Sequence, residues 1–408
     1  MNNPMIPQER RYDLDWLRIL AFAGLILFHT GMLYAESWGF HFKSHYLSSE
    51  LESLMLIFSP WRMLLIWFVS GAASYFLFER AKGWRQRGVL SVNRSISLLL
   101  PLLTGLWLIV PVQLYAQMSQ EAGLQMGYGE FYLAFLDLQH PLFSDYQSGV
   151  WPHVDVNHLW YLRSLWVYSL ILILVAPLLT KWRMGAVLAG GFSRAFWPMV
   201  LLVVVLMAGI RGHFSGDSIR ELQGGVWFLF GFLLAGQVAF RDALVHKGPL
   251  LGGLFTLNLL LIIAGYNGWL AADDADYMGV IRLAVYSLQQ VLGVLLMLAL
   301  AARWLNFDHP WRRPLNNAVY PSYLVHQSLI IGLAFVAADQ SMSLVAELLL
   351  VIGGTLAGCV LVCVLGMKIS WLKPFIGMKW QENSGRQVTL PALLATLLIL
   401  PLAWEILV

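Results

Sequence analysis

A histidine and an arginine lie in one apolar stretch near the start of the chain, where ionisable side chains are rare. His29 follows Arg18 by eleven positions. Eleven residues of α-helix make three turns plus about 20°, so the two side chains share one helix face. Their separation along the axis is about 16 Å. If Arg18 lies at the inner surface, His29 lies near the middle of a hydrocarbon core about 30 Å thick.

An ionisable residue at that depth predicts function rather than packing alone. A neutral imidazole at His29 can accept the proton of a hydroxyl group, as a general base does. Asp15 lies one turn before Arg18 and is placed to pair with it. The sequence therefore predicts three catalytic residues, His29, Arg18 and Asp15, of which the last two order the inner end of the helix. The alternative is a buried histidine that only satisfies its hydrogen bonds within the core.

Four further polar residues lie within apolar stretches or near their ends. His326 lies roughly 15 Å above the inner end of a helix, and Tyr323 lies one turn before it. His158 and Arg62 lie near the outer ends of two other stretches. We predict that these four residues line or gate a substrate cavity. The alternatives are interhelical hydrogen bonding for His326, an interfacial belt for His158 and headgroup phosphates for Arg62.

Several cations surround the connection between the second and third apolar stretches. Its arginines are Arg80, Arg85, Arg87 and Arg94. Positive charge on a cytoplasmic loop can simply orient the chain. The more specific hypothesis is a binding site for the phosphates of a cytosolic polyanion such as coenzyme A. The sequence has no P-loop, no G-x-G-x-x-G motif and no cluster of metal ligands, so no ATP-driven enzyme, dinucleotide-using enzyme or metal site is predicted.

Composition defines the class of protein that must position these groups. Of the 408 residues, 59% are hydrophobic and 12% are charged, whereas a soluble domain carries roughly 25% charged residues. A water-soluble globular protein, a disordered chain and a nucleic-acid-binding module are therefore excluded. The net charge of +3 is too small to indicate a polyanionic partner such as a nucleic acid.

Apolar stretches of about 20 residues, the length that a membrane-spanning helix needs, recur along the whole chain. The eleven candidates are 14–35, 56–78, 95–116, 158–180, 195–211, 222–240, 249–270, 279–302, 317–337, 343–366 and 389–407. The last is short and contains Pro391 and Pro401. We predict an all-α polytopic transmembrane bundle of 10–11 spans. It forms a single domain over 1–408, with a core at about 10–370 and a possible extra span at 389–407.

Lys and Arg indicate the orientation of these spans in the membrane. With the N-terminus inside, 20 of the 26 cationic residues lie on the cytoplasmic side. The six on the outer side are Lys43, Arg62, Arg163, Arg211, Arg220 and Arg282. We therefore predict a multi-pass protein of the cytoplasmic (inner) membrane with a cytoplasmic N-terminus.

Four short motifs, in this order, resemble those of the acyltransferase-3 family of integral membrane acyltransferases. They are Leu14-Asp15 with Arg18-x10-His29, Arg62-Met63 with Phe68-Val69-Ser70-Gly71, His158-Leu159-Trp160-Tyr161-Leu162, and Tyr323-Leu324-Val325-His326. The sequence is most similar to the glucan-biosynthesis protein C branch, whose members add succinyl groups to periplasmic glucans.

The resemblance implies ten core spans, an acyl-CoA co-substrate reached from the cytosol, no tightly bound cofactor, and a glycan hydroxyl group as acceptor on the outer side. His29 would be the family's essential histidine and Arg18 its partner, and Arg18 and Asp15 would face the donor. The Arg-x-x-Arg spacing that the family often shows on the inner loop is absent. The function expected from the resemblance is an O-acyltransferase that transfers an acetyl or succinyl group.

Two other classes of protein remain as alternatives. A transporter or flippase of a glycan precursor would use His29 and His326 to relay protons. Transporter folds often carry paired, Gly- or Pro-interrupted spans in two halves, and the sequence shows no such correspondence. The third class is a non-catalytic membrane subunit of a glycan-synthesis complex.

Overall fold

The computed structural model describes residues 11–81, 83–147, 149, 151–268 and 276–379. Helices account for most of these residues. They are α1 (Tyr12–Tyr34), α2 (Ser49–Met55), α3 (Arg62–Arg80), α4 (Trp84–Leu108), α5 (Pro111–Glu121), α6 (Tyr128–Phe135), α7 (Trp160–Lys181), α8 (Met184–Arg194), α9 (Phe196–His213), α10 (Asp217–Leu234), α11 (Val238–Tyr266), α12 (Asp276–Trp304), α13 (Arg312–Ala338) and α14 (Leu344–Lys368). Short 3-10 helices cover Pro141–Phe143, Asn157–Leu159 and Ser370–Ile376.

Nine of the helices in the described ranges are long and apolar enough to cross a membrane, with α4 and α5 counted together. They match nine of the eleven predicted stretches, and the predicted all-α polytopic architecture is confirmed. The stretch at 222–240 matches α10, which is not among the nine. Its first turns carry Asp217, Arg220 and Glu221, and the helix ends at Leu234, so its apolar part is short. The stretch at 389–407 lies outside the described residues.

The third span begins earlier than the sequence indicates. α4 starts at Trp84 rather than near residue 95, so Arg85 and Arg87 belong to a helix and not to the predicted loop. Gly83, with φ of 85°, precedes the first helical residue. A left-handed residue interrupts the helical path there, so α3 and α4 are separate helices.

The contacts within the chain define two interleaved compact units. The first comprises the described parts of Met1–Gly24, Leu56–Leu77 and Pro177–Asn316. The second comprises those of Leu25–Met55, Phe78–Ala176 and Asn317–Val408.

Within the first unit, α3 and α10 approach so closely that only glycine fits at the crossing. A Cβ atom added at Gly71 would overlap the carbonyl oxygen of Phe228, and one added at Gly231 would overlap that of Phe68. Each glycine faces the backbone of the other helix, so the two backbones come into contact. Close packing at small residues is common between membrane helices, which have no hydrophobic driving force to bring them together.

We expect Gly231→Ala to destabilise the protein by about 1–3 kcal/mol or more, because the new methyl group can fit only if the helices separate. Thermal unfolding of the purified protein in detergent measures the loss. Gly253→Ala is the matched control, since nothing lies within 4 Å of a Cβ atom at that helical position. Equal stability of the two variants would show that the crossing tolerates separation.

The second unit brings together four elements that carry polar side chains. His29 lies near the end of α1, Gln113 lies in α5, His158 lies in the 3-10 helix before α7, and His326 lies in α13. Asn157 adopts a left-handed conformation with φ of 48°, which asparagine tolerates better than most residues. This conformation directs the chain into the turn that carries His158.

Candidate active site

His29 and His326, which are 297 residues apart in the sequence, form a direct hydrogen bond. Nδ1 of His29 lies 2.9 Å from Nε2 of His326. The ring centroids are 5.1 Å apart and the rings are inclined by only 26°. The centroids are therefore farther apart than the nitrogens, as expected when two rings meet edge to edge. The hydrogen bond lies close to both ring planes, where the nitrogen lone pairs point.

The surroundings of His326 decide which of these nitrogens carries the proton. His326 is fully buried, and its Nδ1 lies 2.7 Å from the carbonyl oxygen of Tyr323. A carbonyl oxygen only accepts, so Nδ1 of His326 donates, and Nε2 of the neutral ring is the acceptor. His29 must then donate from Nδ1, and its basic nitrogen is Nε2. A single backbone carbonyl thus fixes the tautomer of both histidines.

His158 belongs to a second buried set of hydrogen bonds beside this pair. Its Nε2 lies 3.1 Å from the carbonyl oxygen of Leu324 and therefore donates. Its Nδ1 then accepts from Nε2 of Gln113 at 3.0 Å. Both ring nitrogens of His158 are used within the protein. The arrangement suits a residue that supports neighbouring helices.

Gln113 connects this second set to α13. It is fully buried. Its amide nitrogen also donates to Oγ of Ser328 at 2.7 Å, and its amide oxygen accepts from Gln327 at 3.0 Å. Ser328 in turn donates to the carbonyl oxygen of Ile109 at 2.8 Å. A buried network with all these groups paired favours one relative position of its helices.

Tyr323 takes part through both its backbone and its side chain. Its carbonyl oxygen accepts from His326, and its hydroxyl donates to the carbonyl oxygen of His158. His158, Tyr323 and His326 therefore lie together, and His29 joins them; that they line a substrate cavity remains a prediction. Sequence reasoning passed over Gln113. Its signal was available, because a glutamine within an apolar span is itself expensive to bury without partners.

Arg18 and Asp15 lie in the first unit, on the same continuous helix α1 that later carries His29. Asp15 accepts a hydrogen bond from the guanidinium of Arg312, whereas the sequence predicts an ion pair with Arg18. Arg312 is almost completely buried and therefore requires a carboxylate partner. Arg18 is exposed. Their predicted roles at the donor end remain predictions.

Arg312 also pairs with a second carboxylate. Its Nη2 lies 2.8 Å from Oδ1 of Asp308, and a hydrogen bond from Arg312 holds the pKa of Asp308 below its usual range. The stability that this pairing contributes is present at neutral pH. It is lost as the pH falls through the lowered pKa and Asp308 is protonated.

The remaining predicted residues lie in different settings. Arg62, in the first unit, donates from Nη1 to the carbonyl oxygen of Ser59 at 2.8 Å. In the second unit, Arg94 donates to Ser169 at 3.2 Å, and the guanidinium of Arg87 lies 4.7 Å from the ring centroid of Phe78. Arg80 and Arg85 are exposed. In the parts of the chain that the structure describes, no group of three or more His, Cys, Asp or Glu side chains could hold a metal ion.

Comparison with known proteins adds one finding to this geometry. A family model described as an acyltransferase domain, Acyl_transf_3, matches residues 11–365. The chain belongs to the acyltransferase-3 family. No curated protein and no solved structure matches it.

Membership of the acyltransferase-3 family establishes a general activity for the protein. The protein is a multi-pass membrane acyltransferase. The matched region includes α1, which carries His29, and α13, which carries its partner His326. The family resemblance predicted from the four motifs is therefore confirmed at the level of the family.

Proposed function

We propose that the protein transfers an acyl group from cytosolic acyl-CoA to a hydroxyl group of an extracytoplasmic glycan. The observation that carries the proposal is the hydrogen bond from His29 Nδ1 to His326 Nε2. This bond favours the His29 tautomer whose Nε2 accepts protons, and proton transfer from a hydroxyl nucleophile is the usual task of such an imidazole. A histidine whose tautomer is set by a buried partner is the arrangement of hydrolytic triads.

The proposed reaction proceeds in two balanced steps. Nε2 of His29 takes the proton of the acceptor hydroxyl as its oxygen forms a bond to the thioester carbonyl carbon. The carbon–sulfur bond then breaks, and the proton on Nε2 passes to the departing thiolate of coenzyme A. The products are an O-acyl ester and free coenzyme A, and His29 returns to its starting state. A relay through an acyl-histidine is the alternative route.

The donor and acceptor are proposed from charge and resemblance. Arg80, Arg85, Arg87 and Arg94 are proposed to attract the donor phosphates, because polyanions concentrate near clustered cations. Arg18 and Asp15 are proposed for the donor end, and Arg62 for the acceptor side. Acetyl and succinyl groups are the candidate acyl groups, and a periplasmic glucan is the acceptor that the motifs favour.

Within this proposal His158 supports His326 rather than touching substrate, since both of its ring nitrogens are already engaged. Tyr323 supplies the carbonyl oxygen that fixes the tautomer of His326. We propose that the protein lies in the cytoplasmic membrane and uses no tightly bound cofactor.

The proposal predicts that the two substrates reach the protein from opposite sides. We expect glycan acylation in sealed, oriented proteoliposomes when acyl-CoA is supplied on the cytoplasmic side and glycan on the other. The physical reason is that most cations lie on the predicted cytoplasmic side, where they attract the donor. Acylated glycan is measured by mass spectrometry.

The reversed placement of substrates is the control, in vesicles whose tightness is verified with a trapped dye. Equal acylation from both placements would contradict the two-sided reaction. Movement of the glycan across the membrane without acylation would favour a transporter, and the proposed function would then be wrong.

A further inference from the structure

A segment of the second unit folds back over the end of α1 after that helix stops at Tyr34. We call residues 36–48 the strap. Its backbone is tied to the helix by two hydrogen bonds, from Ser44 N to the carbonyl oxygen of Leu33 at 3.0 Å and from Ser48 N to that of Tyr34 at 2.8 Å. The strap therefore has a fixed position relative to the last turns of α1, which carry His29.

Lys43 holds the strap to carbonyl groups at the end of α1. Its ammonium group donates to the carbonyl oxygens of Met32 at 2.9 Å and Ala35 at 2.5 Å. The last carbonyl groups of a helix have no partner within it, and a cation there also interacts favourably with the helix dipole. Burial lowers the pKa of Lys43, and the negative charge of Glu52 partly offsets this effect.

Side chains of α5 hold the middle of the strap. Gln120 forms two hydrogen bonds of 2.8 Å with the backbone of Lys43, one to its N–H group and one to its carbonyl oxygen. Nδ1 of His41 lies 2.9 Å from the amide oxygen of Gln117, to which it donates. These contacts follow Phe40 directly, lie on either side of Phe42, and hold this part of the strap against α5.

Phe40 lies against the ring of His29. The two ring centroids are 6.2 Å apart, and the rings are inclined by 17°. Phe28 meets His29 from another direction at 5.9 Å. The imidazole thus has apolar rings beside it as well as its hydrogen-bond partner His326. The phenyl side chain of Phe40 has no hydrogen-bonding group, so its contribution beside the imidazole is apolar cover.

Apolar side chains around a base that activates hydroxyl groups can keep water from reacting in place of the acceptor. If water took the acceptor's place, its oxygen would bond to the thioester carbon and the carbon–sulfur bond would break. His29 would take a proton from this water and pass it to the coenzyme A thiolate, and the acyl group would be lost as a free acid. Excluding water from the site prevents this side reaction.

We infer that Phe40 is a specificity-determining residue that keeps water from His29, so that the acyl group passes to the acceptor hydroxyl rather than to water. This inference rests on the proposed function. It requires the strap to be held in place, which Lys43, Gln117 and Gln120 accomplish. It differs from a purely structural role, in which Phe40 only anchors the strap and its loss lowers all activity alike.

The test compares transfer with hydrolysis in the same full-length protein in nanodiscs. Release of free coenzyme A is measured without acceptor, and acylated glycan is measured with acceptor. Phe40→Ala is expected to raise the ratio of hydrolysis to transfer several-fold. Phe40→Leu, which keeps an apolar side chain, should give an intermediate ratio. Phe58→Ala is the matched control, because Phe58 is an exposed phenylalanine of the first unit, and its ratio should equal that of the wild type.

A second readout does not depend on turnover. Diethyl pyrocarbonate modifies accessible neutral imidazoles, and mass spectrometry gives the modification rate of His29 itself. The rate should rise in Phe40→Ala and not in Phe58→Ala.

The outcomes separate the inference from the proposed function. Absence of transfer by the wild type would overturn the proposed function. Transfer by the wild type with an unchanged ratio in the Phe40 variants, or equal losses of both reactions, would overturn the inference alone. If Phe40→Ala does not fold, the ratio and the His29 modification rate in Phe40→Leu decide between these results.

Discussion

Replacing His29 by alanine is expected to lower acyl transfer by at least about 10²–10⁴-fold, the contribution typical of a general base. The reason is that Nε2 of His29 is the proton acceptor in the proposed reaction, and methyl groups cannot accept protons. The initial rate of glycan acylation by purified protein in nanodiscs measures the effect. Expression and thermal unfolding should change little, since His29 is only half-buried.

Two further variants define what the result means. His29→Gln should be as inactive as His29→Ala, because an amide can hydrogen bond to His326 but cannot take up a proton. His213→Ala is the control, since His213 is an exposed histidine at the end of α9, and it should retain normal turnover. Near-normal acylation by His29→Ala would eliminate both the general-base route and the acyl-histidine route.

The second large effect is expected from His326→Ala, which removes the hydrogen-bond acceptor of His29. Without Nε2 of His326 as acceptor, Nδ1–H of His29 loses its partner. The alternative tautomer, with the proton on Nε2, then becomes populated. Changing the partner that fixes the tautomer of a catalytic histidine can cost about 10⁴-fold in turnover. We expect a fall in kcat on the order of 10²–10⁴-fold with little change in KM.

Rescue by a conservative variant separates positioning from stability. The amide oxygen of glutamine can accept the hydrogen bond from His29, so His326→Gln should be more active than His326→Ala. Thermal unfolding of both variants should show similar losses, because each leaves the carbonyl oxygen of Tyr323 without the imidazole donor. Equal activity of the two variants would show that the acceptor at position 326 does not set the state of His29.

The local parts of this site follow from the sequence, because they depend on helix periodicity alone. A long apolar stretch that contains Arg18 and His29 predicts one helix, and α1 runs without interruption from Tyr12 to Tyr34. Membrane helices are especially predictable, since every backbone polar group must be satisfied within the span. The start of α4 was missed because its first turns are polar and lie outside the apolar pattern.

Pairing between distant segments could not be predicted in the same way. The sequence indicates two histidines, His29 and His326, near the same depth, but nothing in periodicity says that their rings meet. Asp15 was expected to pair with the nearby Arg18, whereas the structure pairs it with Arg312. A buried arginine has a stronger requirement for a carboxylate than an exposed one, and burial is known only from the packed structure.

The Arg312 contacts determine which shortened forms of this protein can be used for biochemical work. Asp15 belongs to the first turn of α1, yet it compensates a guanidinium 297 residues away. A chain that starts after Asp15 would retain nearly all of α1, including His29, and would keep the buried Arg312 paired with Asp308 but without the carboxylate of Asp15. A shortened protein made for expression must therefore keep the beginning of α1 as well as His29.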